Sequence, residues 1–326
     1  MIDHLSIPLL QAPIGSVASP RLAAAVSNAG GMGSLALTWT KPEQARRLLQ
    51  QVKERTTAPF FVNFVLAFPP RCFDVVLQAG VPAITFSWGH APELMRRAQQ
   101  KGISVGVQVG NLPGAMKALD DGADFIICQG VEAGGHVQST TGLISLLTQV
   151  LDPSTSSGHR ISRQVPVIAA GGLSTGFDMF HAMQNGAAGV MMGTRFVATR
   201  ESRAHNLYKE ALIEASPEDT AYTICFDGGW PQAAHRVLRN STFTNWEAAG
   251  CSPKGSRPGE GEVVATLPSG GKILRYDDSP PLHKMKGDLL DCCLYAGQGV
   301  DGISDVPSAH ELVHRLWQEA QSFKVQ

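Results

Sequence analysis

The sequence predicts an α/β fold: a (β/α)8 TIM barrel, a small irregular C-terminal subdomain, and a final helix that packs back on the barrel. Three observations predict it. Short apolar runs recur along the first two thirds of the chain: "IPLLQAP", "GMGSLAL", "PFFVNFVL", "VPAITF", "SVGVQV", "DFIIC", "VPVIAA" and "AGVMMG". They are apolar almost without interruption, as strands of a parallel sheet covered on both faces should be. Amphipathic stretches of helical period lie between them. Glycines close those stretches, at Gly80, Gly102, Gly122 and Gly186, where a helix C′ residue belongs. Alternating units of this kind close into a barrel or spread into a doubly wound sheet. No GxGxxG follows the first strand, which disfavours the dinucleotide version of the open sheet.

The first long helix is the clearest. In "TKPEQARRLLQQVKER", Ala45, Leu48, Leu49 and Val52 fall at i, i+3, i+4 and i+7. Thr40 and Glu43 form a capping-box pattern at its start. The repeat is broken once, by the polar insert "LDPSTSSGHRISRQ" at 151–164. It fades near residue 220, so residues 1–220 read as the barrel and 221–326 as a lid or subdomain. That second part is rich in Gly, Pro and Ser, with a hairpin pattern at "GEVVATLPSGGKILRY" and the amphipathic "SAHELVHRLWQEAQSF" at the end.

Composition excludes several roles. The 326 residues carry a formal net charge of −1, with no block of Lys or Arg. Nucleic acid and anionic membranes are poor partners for such a surface. No stretch is long and apolar enough for a membrane span, and the start lacks the pattern of a secretory signal. The six cysteines are sparse, and the adjacent Cys292 and Cys293 suit neither a metal site nor a CxxC redox pair. They read as small buried apolar residues in a reducing, cytoplasmic compartment. No metal site is expected.

Barrel enzymes carry their chemistry at the C-terminal ends of the strands. Those positions hold "QAPIGS" after strand 1, Asn63 on strand 3, "SWGH" after strand 4, Gln108 on strand 5, "QGVEAGGH" after strand 6, "AAGG" after strand 7 and "MMGTRF" after strand 8. Glycines ending strands 7 and 8 (Gly171, Gly172 and Gly193) are placed to cradle a phosphate with backbone N–H groups. The Asn and Gln side chains suit an uncharged heterocycle such as a flavin ring, although a sugar phosphate fits nearly as well. The pair Gly134 and Gly135 lets the backbone approach a ligand closely or adopt positive φ. His136 beside it is the side chain best suited to moving a proton near neutral pH. Glu132 either orients His136 or serves its own loop. His90 faces the same end as a possible substrate contact. The other eight histidines have no such context.

Several segments together resemble the nitronate monooxygenase family: "QAPIGSVASPRLAAAVSNAGGMGSL", "FFVNFVL", "QGVEAGGH", "VPVIAAGGLSTG", "GVMMGTRF" and "YAGQGVDGISDVP". Residues from about 225 to 290 match less clearly. The resemblance implies an FMN barrel that oxidises alkyl nitronates with O2 to a carbonyl compound and nitrite. It implies flavin contacts from Ala12, Pro13, Ile14 and Gly15, from Asn63, Gln108, Gln129, Gly134 and Gly135, and from Gly171, Gly172, Met191, Met192, Gly193 and Thr194. Gln298, in "AGQG", would close over the flavin, and His136 would be the catalytic histidine. The expected partners are a small nitronate and O2, on a monomer or homodimer. Type II enoyl-acyl-carrier-protein reductases and NADH:quinone reductases share a similar barrel and loop and are the nearest alternative. A flavin barrel that binds without turnover, and a sugar-phosphate isomerase or lyase, are weaker ones. The intact histidine argues against the first. The absence of Lys from the assigned strands argues against the second.

Overall fold

The computed structural model describes residues 2–152 and 165–325, so most of the polar insert, 153–164, lies outside the described residues. Eight parallel strands among them form the barrel: β1 (Leu9–Gln11), β2 (Gly33–Ala36), β3 (Phe60–Val65), β4 (Ala83–Ser87), β5 (Ser104–Val109), β6 (Phe125–Gln129), β8 (Val167–Ala170) and β9 (Gly189–Met192). A two-residue strand, β7 (Gly135–His136), lies in the loop after β6. The order is β1-β9-β8-β6-β5-β4-β3-β2. Residues just before β2 close the ring. Gln11 N–H donates to the Met32 carbonyl at 3.0 Å and Met32 N–H to that of Leu9 at 2.9 Å.

The apolar runs are explained by two cores. Leu10, Phe61, Phe125, Ile127, Ile168 and Met191 fill the barrel interior. Leu9, Val62, Ile126, Cys128, Val190 and Met192 face the helices. Each strand thus alternates between two apolar environments, and both sets read as hydrophobic. Gly106 makes room inside. A Cβ there would sit 2.8 Å from Phe125 Cδ2.

The four glycines expected at helix C′ all adopt positive φ, between 61° and 89°. The capping-box expectation fails for the first long helix. Its N-cap is Lys41, one residue past Thr40, and no side chain caps it. Pro42 occupies N1, where its fixed φ starts the helix without a hydroxyl.

Beyond the barrel, β10 (Thr220–Thr223) pairs antiparallel with β11 (His235–Leu238), and β11 pairs with β7. The expected hairpin forms as β12 (Val263–Thr266) and β13 (Lys272–Leu274), extended by β14 (Lys286–Gly287). The final helix, Ala309–Ser322, buries Leu312, Val313 and Leu316 in the same core as the barrel helices. Its Glu319 accepts from Gly176 N–H at 3.0 Å, so it packs back on the barrel. The six cysteines are free. Five are buried as expected, but Cys251 is exposed, at the left-handed turn just after the helix Ser241–Ala248.

Candidate active site

The loop after β6 is built by its own residues. Gln129 stands at the end of β6 and holds the loop at both ends of its amide. Its Nε2 donates to the His136 carbonyl at 3.1 Å, and its Oε1 accepts from Gln138 N–H at 2.9 Å. Both Glu132 oxygens accept from Leu143 N–H, at 3.1 and 3.0 Å, capping the helix Leu143–Leu151. Glu132 therefore serves the loop, and its negative charge suits that helix N-terminus.

The two glycines have different causes. At Gly134 a Cβ would press on Gly297 N and lie 2.6 Å from the Ala296 carbonyl carbon. This glycine answers to the segment 296–298, which lies on the loop. There Gly297 N–H donates to Thr194 Oγ1 at 3.0 Å and Gln298 N–H to the Glu132 carbonyl at 2.9 Å. Gly135 has open space around it but a φ of +77°, which favours glycine.

That conformation turns His136 into β7, where β11 holds it opposite His235. Aromatic rings surround the imidazole. The Trp230 centroid is 4.5 Å away, tilted by 32°, and those of His235, Tyr295 and Trp88 are at 5.5, 5.6 and 6.3 Å. Burial, with a smaller push from His235, lowers the His136 pKa to about 3. The ring is therefore neutral at physiological pH. Its Nε2 is shut off from water and has no hydrogen-bond partner among the described residues. An unpaired buried polar atom costs about 1–3 kcal/mol, so this nitrogen is placed for a group the protein does not itself provide. His235 is locked neutral beside it. Its Nδ1 lies 2.8 Å from the Ala233 carbonyl, and its Nε2 accepts from Phe226 N–H at 3.2 Å.

His136 lines a cavity of about 530 Å3 at the C-terminal ends of the strands. Most of the expected site residues meet there: Ala12, Pro13, Ile14, Gly15, Asn63, Gln108, Gln129, Gly134, Gly135, Gly171, Gly172, Met191, Gly193 and Thr194. Two do not. Met192 follows Met191 on β9, so the pleat turns its side chain outward to the helix layer. Gln298 is exposed and borders a neighbouring cavity of about 500 Å3 behind Gly171 and Gly172. The amides are already partly engaged. Asn63 Nδ2 donates to Thr85 Oγ1 at 3.1 Å, and Gln108 Nε2 to Gln138 Oε1 at 3.0 Å. His90 is not among the lining residues and lies 2.8 Å from Asp121 Oδ2.

Sequence reasoning missed Trp88, Trp230, Tyr295, Asp278 and His235. Trp88 carried a partial signal, since "SWGH" stood at a strand end. Its φ of +57° is rare for a bulky residue, and held strain of this kind clusters at functional sites. Trp230 and Asp278 come from the 225–290 segment with no readable pattern, and Tyr295 opens "YAGQGVDGISDVP", where Gln298 was the residue singled out. Among the described residues, no group of His, Cys, Asp and Glu is arranged to hold a metal, and no helix is long and apolar enough to cross a membrane.

The barrel carries its cavity where (β/α)8 enzymes carry their sites, and comparison with known proteins puts the chain among the oxidoreductases. The chain belongs to the nitronate monooxygenase family, whose model matches residues 1–70 and 70–319, and whose members are flavin-dependent. It is 29% identical to the nitronate monooxygenase of Pseudomonas aeruginosa, across 96% of this chain and 95% of that one. It is 34% identical to the (3aS,4S,5R,7aS)-5-hydroxy-7a-methyl-1-oxo-octahydro-1H-indene-4-carboxyl-CoA dehydrogenase of Rhodococcus jostii, across 96% and 92%. Among solved structures, FabK from Thermotoga maritima superposes with a TM-score of 0.79 at 29% identity, covering 99% of this chain and 96% of that one.

Proposed function

We propose that the protein binds FMN in this cavity and oxidises alkyl nitronates with O2, giving a carbonyl compound and nitrite. The observation that carries the reading is the neutral, unpartnered Nε2 of His136 in a cavity whose strand-end turns are glycines. The residues fit the cofactor. Gly171 and Gly172 hold φ of +114° and +70°. Gly193 is more telling. Its φ is ordinary, and a Cβ there would meet nothing nearer than 3.5 Å, at Ala12 Cβ and Ile14 Cγ2. The fold makes no demand for glycine at 193, which points to the cavity's occupant. FMN held there would supply the electron acceptor for the oxidation, with O2 as the final oxidant.

The chain's own residues handle the proton and the substrate. With a neutral nitroalkane, His136 Nε2 accepts the α-proton. Its burial makes the imidazolium costly, and the nitronate anion formed beside it offsets that cost. With a pre-formed nitronate, the other neutral tautomer, which carries its proton on Nε2, donates to an anionic oxygen. Trp88 and Trp230 keep water from the pair. A second reading, a flavin barrel reductase or dehydrogenase, is favoured by the likeness to FabK and to the Rhodococcus dehydrogenase.

One preparation separates the two readings. The purified protein should be yellow, and heat should release FMN identifiable by mass. Aerobic turnover of a nitronate should yield nitrite, and anaerobic NADH should leave the flavin oxidised. FAD in place of FMN, or rapid bleaching by NADH, would overturn the assignment. The cradle has its own test. Gly193→Ala should keep the parent's melting temperature and weaken FMN about tenfold or more, roughly 1.4 kcal/mol. Unchanged FMN affinity would remove the end of β9 from the phosphate site.

A further inference from the structure

The cavity has an unusual balance of charge. Among the described residues that line it, there is no Lys or Arg, and Asp278 is the one carboxylate. Its walls near His136 are aromatic. Trp88 and Trp230 meet at 4.7 Å between centroids, and Phe68 and then Trp39 extend the contact at 5.1 Å each. Trp39 lines the cavity too and is 56% exposed, so the aromatic run reaches from His136 to solvent. Flat π-faces of this kind pack best against planar or apolar bodies.

Asp278 is set back from the histidine. The Tyr295 ring contacts His136, and its hydroxyl donates to the Asp278 carbonyl at 3.0 Å. The Asp278 carboxylate lies over Gly229, the residue next to Trp230, where an added Cβ would come within 2.5 Å of its Oδ2. Asp278 lines the same cavity as His136, one residue beyond the Tyr295 contact, so with the reacting carbon at His136 its carboxylate is on wall left to the body of a substrate. Burial, and then the neighbouring Asp277, raise the Asp278 pKa, the direction expected of a carboxylate with no cation to pair with.

We propose that this cavity selects planar, apolar substrates whose bodies are neutral or positively charged, with Trp88 and Trp230 as its walls and Asp278 as the residue that rejects negative charge on the substrate's body. The proposal deepens the functional reading and rests on His136 marking the reacting end. A carboxylate on the substrate body would meet Asp278 in a desolvated site with no lining cation, whereas an ammonium there would be attracted.

Three ligands of matched shape test it: nitrobenzene, 4-nitrobenzoate and 4-nitrobenzylammonium. None has a proton on a carbon bearing the nitro group, so they bind without turning over. Calorimetric titration of the protein as purified should show nitrobenzene binding about tenfold or more tightly than 4-nitrobenzoate, the step that roughly 1.4 kcal/mol sets. The ammonium should bind at least as tightly as nitrobenzene. Asp278→Asn should bring the three affinities together. Trp230→Ala should weaken all three about tenfold. Equal or tighter binding of 4-nitrobenzoate by the parent would overturn the proposal, whether or not the Asp278 variant folds. So would survival of the original order in Asp278→Asn. The order can fail while nitronate oxidation stands, and it can hold while nitronate oxidation fails, so the two ideas fall separately.

Discussion

Gly134→Ala is expected to cost about 3–5 kcal/mol and to lower the melting temperature by roughly 5–15 °C. The new Cβ would lie 2.6 Å from the Ala296 carbonyl carbon and press on Gly297 N. Both of these are backbone atoms and cannot swing aside as a side chain could; Thr194 Oγ1 is next, at 2.9 Å. Overpacking of this kind costs about 1–3 kcal/mol. The shift would also strain two hydrogen bonds, Gly297 N–H to Thr194 Oγ1 and Gln298 N–H to the Glu132 carbonyl. Each is worth about 1 kcal/mol. Gly135→Ala is the control. It meets no atom within 4 Å and suffers only from its φ of +77°, a penalty of about 1–2 kcal/mol. Differential scanning calorimetry on both variants decides the point. Equal stabilities would mean that segment 296–298 does not lie on the loop as closely as described.

The contrast between these glycines shows how much of the molecule could be read in advance. The barrel was legible because its signals are local. Two-faced burial makes each strand continuously apolar, and four of the helices are followed by a glycine of positive φ. Strand parity lets only one of the side chains of Met191 and Met192 face inward, and it is Met191 that does. The start of the first long helix was misread because Pro42 fixes the N-cap at Lys41, which leaves Thr40 outside. The "EAGGH" loop was legible as part of the strand-end cavity, but one reason for Gly134 was not. Its neighbour there is Gly297, far along the chain. The same distance hid His235 and Trp230. Nothing in "HRVL" or "GGWP" tells that one pairs with β7 and the other covers its histidine. Local periodicity reports which face of an element is buried. It is silent on which distant loop does the covering.

His136→Asn is expected to lower turnover of neutral nitroalkanes by about 10²–10⁴-fold, the range of a lost general base. The same variant should keep much of the parent's activity with pre-formed nitronates, which have already lost the proton. The structure sharpens the expectation in pH. Burial lowers the His136 pKa from an ordinary 6.5 to about 3, so the base stands ready at every pH near neutral. The parent's kcat/KM for nitroalkanes should therefore show no acid limb from this ring near 6.5. Stability carries the matching sign. An unfolded histidine takes up its proton near 6.5 and the folded one only near 3, so this group destabilises the fold progressively as pH falls through that window. In His136→Asn that part of the acid sensitivity should vanish, which urea titrations at pH 7 and pH 5 would show without any turnover. Asn suits the test because it keeps some polarity and volume beside Trp230, and both substrates should be run on one flavin-replete preparation. An equal fall with nitroalkane and nitronate would make His136 a contact for the anionic oxygens in place of a base. No fall with either would leave its unpartnered Nε2 without a chemical role. If the parent turns over nitronates alone, the nitronate arm and the pH dependence of stability still report on this ring, the first on oxygen contact and the second on its burial.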